Sequence, residues 1–459
     1  MPLHNRECIR GRAIRVASKS TEDRASGSAV HATAQCSGAF SLYPLTRLDS
    51  PPCHALILAE APDALVRLGG ISLLERLLRN LQRLGFRAAT ILSTTPEAIT
   101  AEVAKPSWAR EGISVQVRSS ADPGDTPNEM RGPLLILSAA TYLDSRLLRA
   151  TAFAEEPCAL FDSNPPAELR FLLPEKAKAL GWFCDAALVT QDEQSRDLRE
   201  LMSRAAAGEI GLIDVEREPR YVASLRRDLR PIWFAAPKDA GTHRRSEALL
   251  LDAAQNGTRD LPAIVHGPIE TWLVARLCRT AITPMQITLF TAAISAIVTV
   301  LFWRGHLAAG IVLALIVGVL DGVDGKQARV KVETTELGKR EHVLDYVLEL
   351  SWWTALAHHF SNTHALPNAY SFLLLLVGSD WIDRVAKAFA KKHTGRNLDD
   401  VAAVDGFVRL IGGRRNIYVW LLGGGLVLGA PDKAFALLCV WGAATALVHV
   451  LRAFSIARA

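Results

Sequence analysis

The chain has 459 residues, which at roughly 150 residues per domain points to about three domains. Its 52 lysines and arginines against 47 acidic residues leave a net charge of only +5, which gives no concentrated footprint for a phosphate backbone and so excludes a nucleic-acid partner. With 49% apolar and 22% charged residues the chain is not mainly disordered. Seven cysteines, at 8, 36, 53, 158, 184, 278 and 439 with no CxxC pair, exclude a disulfide scaffold and a zinc site and imply reduced thiols.

Residues 1–50 carry Arg6, Arg10, Arg12, Arg15, Lys19 and Arg24 and then a Ser/Ala/Thr-rich stretch. Without an apolar run this is not a secretory signal. A disordered tail is the expectation, and the Arg/Ser bias leaves an organellar transit peptide open. Residues 51–265 read as a soluble α/β domain. Cys53–Ala59 suits a buried strand. Leucines at 73, 74, 77, 78, 81 and 84 predict a helix over 71–84, capped by Gly85. Further strands are expected at 88–93, 113–117 and 134–137, and the alternation with helices argues for a mostly parallel sheet.

Residues 266–459 differ in kind. Six apolar runs approach the ~20 residues that cross a bilayer, at about 285–303, 306–323, 342–360, 366–388, 415–430 and 433–452. Ile269–Thr280, with Trp272, Arg276 and Arg279, reads as an amphipathic helix lying along the interface. In a six-span topology Lys326, Arg329, Lys331, Lys339 and Arg340 share one side with the Arg384–Arg415 basic residues, the Arg276/Arg279 pair and the C-terminus. The opposite loops hold Arg304 and Lys433. The positive-inside rule then makes this a multi-pass integral membrane protein whose N-terminal domain and large loops face the cytoplasm.

The second run ends in Leu320-Asp321-Gly322-Val323-Asp324-Gly325-Lys326-Gln327-Ala328-Arg329. Ionisable residues at membrane depth are costly and mark function. On a helix Asp321, Asp324, Gly325, Ala328 and Arg329 share one face. The small residues admit a ligand, and Arg329 offers a planar fork to phosphate. Glu341 and Asp345 follow Gly338 with i, i+4 spacing. Four carboxylates on two helices suit hard divalent cations, which choose oxygen ligands. Two such cations can clamp a diphosphate, and one carboxylate can take a proton from an attacking hydroxyl.

This stretch resembles the signature of the CDP-alcohol phosphatidyltransferase family, D-x2-D-G-x2-A-R-x8-G-x3-D-x3-D, with Asp321, Asp324, Gly325, Ala328, Arg329 and Gly338 at matching positions. The six-helix count and Thr283-Pro284 opening the first run also fit. The resemblance implies an all-α six-helix transmembrane bundle that exchanges the CMP of a CDP-alcohol for another alcohol with two Mg2+ or Mn2+ ions. It implies that Asp321 and Asp324 bind metal, that Asp321, Gly325, Ala328 and Arg329 line the CDP site, and that the last carboxylate is ligand and general base. Strict spacing puts His342 and Tyr346 in the last two acidic positions. A one-residue shortening after Gly338 recovers Glu341 and Asp345, making Asp345 the catalytic base. The resemblance further implies a CDP-alcohol donor such as CDP-diacylglycerol, a polyol or polyol-phosphate acceptor, membrane lipid around the bundle, and a homodimer.

Arg414-Arg415-Asn416 at the start of the fifth run can hold an acceptor phosphate or a lipid headgroup, or simply anchor the run at the interface. Asp380, Asp383 and Arg384 either line the same cavity or pair internally. His358, His359 and His364 fall on the far side, and Trp352, Trp353 and Trp420 read as packing or interfacial aromatics.

The N-terminal half resembles a sugar-nucleotidyltransferase: Ala55–Ala59 matches its first strand and Gly69-Gly70-Ile71-Ser72-Leu73-Leu74-Glu75-Arg76 the start of its first helix. Residues 60–68 between them lack the glycine-rich loop and lysine that wrap a triphosphate. Ser138-Ala139-Ala140-Thr141 stands where that family's metal-binding aspartate is expected, and Asp144 comes late. The domain therefore reads as degenerate, with a structural, regulatory or substrate-presenting role. The domain order resembles bifunctional inositol-phosphate cytidylyltransferase/phosphatidyltransferase fusions. Two other readings stay open: an active cytidylyltransferase that makes its own CDP-polyol, and a non-enzymatic membrane scaffold.

Overall fold

Helices in the last third of the chain leave long apolar faces exposed, while the part before them is built on one sheet. In the computed structural model the described residues are 53–105, 112–121, 132–173, 181–190, 197–257, 260–333 and 341–458, without the side chains of 341 and 342. The tail expected over 1–50, Gly338 and the Glu341 side chain lie outside them.

The sheet strands are β1 (His54–Leu58), β2 (Ala88–Ser93), β3 (Ser114–Ser119), β4 (Leu134–Ser138), β5 (Cys158–Phe161), β6 (Phe183–Val189) and β7 (Gly211–Asp214). They form a seven-stranded sheet in the order β7-β5-β6-β4-β1-β2-β3. β1 pairs in parallel with β2 (Ala55 opposite Ala89) and with β4 (His54 opposite Leu134). β6 runs antiparallel to both of its neighbours. The apolar run of β1 follows from its central place: Ala55, Leu56 and Ile57 are covered on both faces. Helix α1 (Leu73–Arg83) starts at Ser72, whose hydroxyl accepts the Glu75 amide at 3.1 Å. Its Leu74, Leu77, Leu78 and Leu81 pack against Ile57, Ile91 and Leu135 of the sheet. The link from β1 to α1 is a short turn, Asp63–Leu65, and a two-residue ladder of Arg67–Leu68 with Ile71–Ser72.

Helix α2 (Ala240–Ala253) leads into α3 (Ala263–Leu277), and then come α4 (Pro284–Trp303), α5 (Leu307–Val330), α6 (Glu341–Asn362), α7 (Ala369–Thr394), α8 (Arg415–Val427) and α9 (Pro431–Arg458). Thr283 starts α4 with a reciprocal cap to Gln286, and Pro284 stands in the first turn, where its missing N–H costs nothing. Among the described residues α4, α5 and α9 are long and apolar enough to cross a membrane. The other three apolar runs are helical too, but internal charges or short length set them apart. Asp345 and Glu349 interrupt α6, and Asp380, Asp383, Arg384 and Lys387 interrupt α7. α8 has 13 residues, about 20 Å at 1.5 Å per residue, against a hydrocarbon core of about 30 Å.

The helices share a core of Val298, Phe302, Ile311, Trp352, Leu356, Phe360, Leu422, Phe435 and Leu438. Polar groups inside it are matched: the Trp352 indole donates to the Ser295 carbonyl at 2.9 Å, and the Thr299 and Ser351 hydroxyls meet at 2.7 Å. Leu289, Phe290, Leu374 and Leu451 point outward, as lipid-facing positions do. The sheet-bearing and helical parts belong to one compact unit.

Candidate active site

The last three turns of α5 carry the acidic motif. Asp324 is buried, takes the Thr288 hydroxyl of α4 at 2.8 Å, and takes the Gly325 amide at 2.5 Å. Asp321, three residues earlier, meets Arg415 of α8, whose Nη2 donates to Oδ2 at 2.7 Å. Arg415 also stands within electrostatic reach of Asp345 and Glu349, one turn apart on α6. One guanidinium thus pairs with Asp321 of α5 and feels the charges of two carboxylates on α6. The Trp353 indole donates to Glu349 at 3.3 Å and orients it.

The basic residues of the motif turn toward the segment joining α2 to α3. Arg329 Nε donates to the Ala254 carbonyl at 2.7 Å. Lys326 Nζ donates to Gln255 Oε1 at 2.6 Å and Thr271 Oγ1 at 2.7 Å. Gly325 and Ala328 lie between, half-buried, with the Arg329 guanidinium beside Gly325.

α3 (Ala263–Leu277) packs against the motif. Its Glu270 carboxyl rests on Gly322, inside the motif, where any Cβ would collide with it. Burial holds the Glu270 pKa above the ordinary glutamate value; the Lys326 charge opposes this, and the nearby Asp321 and Asp260 charges reinforce it. One turn earlier His266 lies against Gly318, with Nδ1 unpartnered and Nε2 3.5 Å from the Trp420 indole nitrogen. Burial lowers its pKa.

Arg414 and Arg415 part company. Arg414 donates to Asp399 at 2.5 Å, in a network with the buried His449 and the half-buried Arg226. Burial works against the Asp399 charge, but Lys387, Arg414, His449 and Arg226 outweigh it and hold its pKa below the ordinary aspartate value. Asp380 pairs with Arg384 at 2.8 Å, and Asp383 with Lys387 at 2.7 Å and with His449. These are internal ion pairs, one of the two expectations for them. Trp352 is core, as the sequence suggests.

The donor chemistry suits a hard divalent cation, since Asp321, Asp324, Asp345 and Glu349 offer carboxylate oxygens only. Among the described residues, however, no three His, Cys, Asp or Glu side chains converge closely enough to hold a metal ion.

Glu349 and Glu270 escape a reading guided by signature spacing. The signal for Glu349 is its place four residues after Asp345, on the same helical face. The signal for Glu270 is subtler: His266 and Glu270 are spaced i, i+4, and so are Gly318 and Gly322 across from them.

Residues 281–449 match the family model described as CDP-alcohol phosphatidyltransferase. A bifunctional IPC transferase and DIPP synthase of Aquifex aeolicus (strain VF5) is 24% identical over 184 residues, 40% of this chain and 40% of that protein. The chain therefore spans about two fifths of the length of that curated relative. A solved inositol-1-phosphate CTP transferase from T. maritima aligns over 43% of this chain and 96% of its own, at 10% identity and a TM-score of 0.28.

Proposed function

We propose that this chain, whose residues 281–449 fall in the CDP-alcohol phosphatidyltransferase family, is a membrane enzyme that moves a phosphatidyl or other substituted-phosphate group from a CDP-alcohol to an acceptor hydroxyl and releases CMP. The observation that carries this is the ion pair of Asp321 with Arg415 at the end of an apolar helix, with Asp345 and Glu349 near enough for their charges to act on Arg415. Such a cluster at a membrane boundary is costly unless it is used.

Arg329, beside the small residues Gly325 and Ala328, binds the diphosphate of the donor. Arg415 balances the charge of the carboxylates and orients them. Asp345 takes the acceptor proton, with Glu349 one turn on as the neighbouring carboxylate. The acceptor oxygen forms a bond to the phosphorus of the transferred group. The bond from that phosphorus to the CMP oxygen breaks, and CMP leaves with the electron pair. Asp321, Asp324, Asp345 and either Glu341 or Glu349 would hold Mg2+ or Mn2+, which when bound would neutralise the diphosphate.

The same reading takes all six apolar helices as crossing or entering the bilayer, with the active site and N-terminal half cytoplasmic and two copies in the assembly. The acceptor is a polyol or polyol phosphate. In this reading the N-terminal half has a structural, regulatory or substrate-presenting role, a view supported by the β1–α1 link, a tight turn without glycine across residues 60–68. At the end of β4 the Ser138 hydroxyl is engaged by the Ala140 amide, and Thr141 by Asp185.

The test is CMP release by the full chain in detergent, with CDP-diacylglycerol, CDP-inositol or CDP-glycerol, Mg2+ or Mn2+, and a panel of polyols, polyol phosphates and serine. Metal-dependent release with one acceptor is expected. Silence with every donor favours the scaffold reading. Pyrophosphate release from CTP and a polyol phosphate would overturn the inactive N-terminal half.

A further inference from the structure

The end of α5 is completed by the other half of the chain. A helix leaves its last four carbonyls without intrahelical donors. Here the Ala328 carbonyl takes the Glu333 amide at 2.8 Å and the Arg329 carbonyl takes the Val332 amide at 3.3 Å. The next two carbonyls go to α1. Arg76 Nη1 donates to Val330 O, and Arg79 Nη1 donates to Lys331 O at 2.8 Å and to Glu333 Oε1 at 2.9 Å. Both arginines are buried, at 3% and 2% exposure. Each is tied back into its own half: Arg76 Nη2 donates to Leu68 O at 2.6 Å, and Arg79 pairs with Glu75 at 2.5 Å.

Two further features show that the junction is built. Val332 ends the helix at φ 54°, a left-handed conformation that a β-branched residue adopts only under constraint. Gly69 and Gly70, at φ 57° and 85°, lie against the Val330 side chain and the Cys278 carbonyl, so that any Cβ would collide. The Gly-Gly turn that resembles a nucleotidyltransferase motif thus serves a contact with the helical half.

We propose that the N-terminal domain is a positioning module for the transferase site, with Arg76 and Arg79 as positioning residues. By holding the Val330 and Lys331 carbonyls they fix the last turn of α5 and with it Arg329, one residue upstream, where the donor diphosphate binds. This rests on the transferase reading above. Cations at a helix C-terminus also suit its dipole, so the two guanidinium groups are in place to prevent the last turn from fraying.

The experiment uses the full chain in detergent with the double variant Arg76→Gln, Arg79→Gln, and measures donor and acceptor KM, kcat, and amide hydrogen exchange over 327–333. Expected are a donor KM about tenfold higher, kcat and acceptor KM within about twofold, and exchange at 330–333 at least tenfold faster. Arg79→Lys, which keeps a donor for Lys331 O, restores most of the donor KM. A donor KM within twofold of the parent overturns the proposal, as does equal damage to kcat and both KM values. Exchange reads the cap without activity, so a parent that releases no CMP refutes the transferase reading while unchanged exchange refutes the cap. If the double variant does not fold, Glu333→Gln removes the ion pair alone: a donor KM about threefold higher is expected, and no change overturns the proposal.

Discussion

Replacing Arg415 by methionine keeps most of the side-chain volume and removes the charge facing Asp321. At 2.7 Å the pair has a gross attraction of about 6 kcal/mol at an effective dielectric of about 20. Asp321 is 36% exposed and Arg415 16%, so water screens one partner, and burial of the other has its own desolvation cost. Both reduce the net value, to roughly 2 kcal/mol. For a helical domain of this size that corresponds to a Tm lower by roughly 4–8 °C. The assay is a double-mutant cycle of Arg415→Met with Asp321→Asn, followed by thermal unfolding in detergent. A coupling of about 1–2 kcal/mol is expected, together with a loss of CMP release of at least about 100-fold in each single variant. Additive effects of the two substitutions, with coupling under about 0.5 kcal/mol, would refute Arg415 as the partner that organises the carboxylates.

Other perturbations reach different parts of the structure. Gly70→Ala drives a methyl group into the Cys278 carbonyl and strains a left-handed residue, so a loss of about 2–3 kcal/mol is expected in thermal unfolding; wild-type stability would contradict that packing. Thr288→Val removes the hydroxyl that holds Asp324 and should cost about 1–2 kcal/mol while lowering CMP release, and an unchanged rate would separate Asp324 from the site. Asp399 has a native pKa below its unfolded value. Its stabilisation is therefore complete above the ordinary value near 3.9 and is lost as the pH falls from there through the native value. Asp399→Asn should lower stability at pH 7 and flatten the acid limb of the stability curve, as followed by denaturant unfolding at stepped pH; an equally steep limb would contradict the assignment.

Much of the frame can be read from residue patterns. The leucine spacing over 71–84 gives α1 at Leu73–Arg83, and the strands expected at 88–93, 113–117 and 134–137 are found within two residues. β5 and β7 are hard to recognise in the sequence, since Cys158–Phe161 and Gly211–Asp214 are four-residue stretches with no strong alternation. The antiparallel β6 breaks the parallel rule that alternating strands and helices suggest. In the helical half the apolar runs locate the helices, but hydropathy does not show which charged residues in α6 and α7 are neutralised by neighbours. The Asp321–Arg329 face is legible because a helix aligns i, i+3, i+4 and i+7. Successive residues point about 100° apart, so the separate fates of Arg414 and Arg415 depend on where α8 begins, which sequence leaves open. Arg76 and Arg79 reach the end of α5 from far along the chain, and no local pattern announces a contact across some 250 positions.

The most direct measurement is CMP release from a CDP-alcohol by the full chain, compared with Asp345→Asn, Glu349→Gln and Glu341→Gln. Release by the parent is expected, abolished by Asp345→Asn and reduced at least about 100-fold by Glu349→Gln, with Glu341→Gln the mildest of the three. Full activity in Asp345→Asn would contradict the proposed site outright.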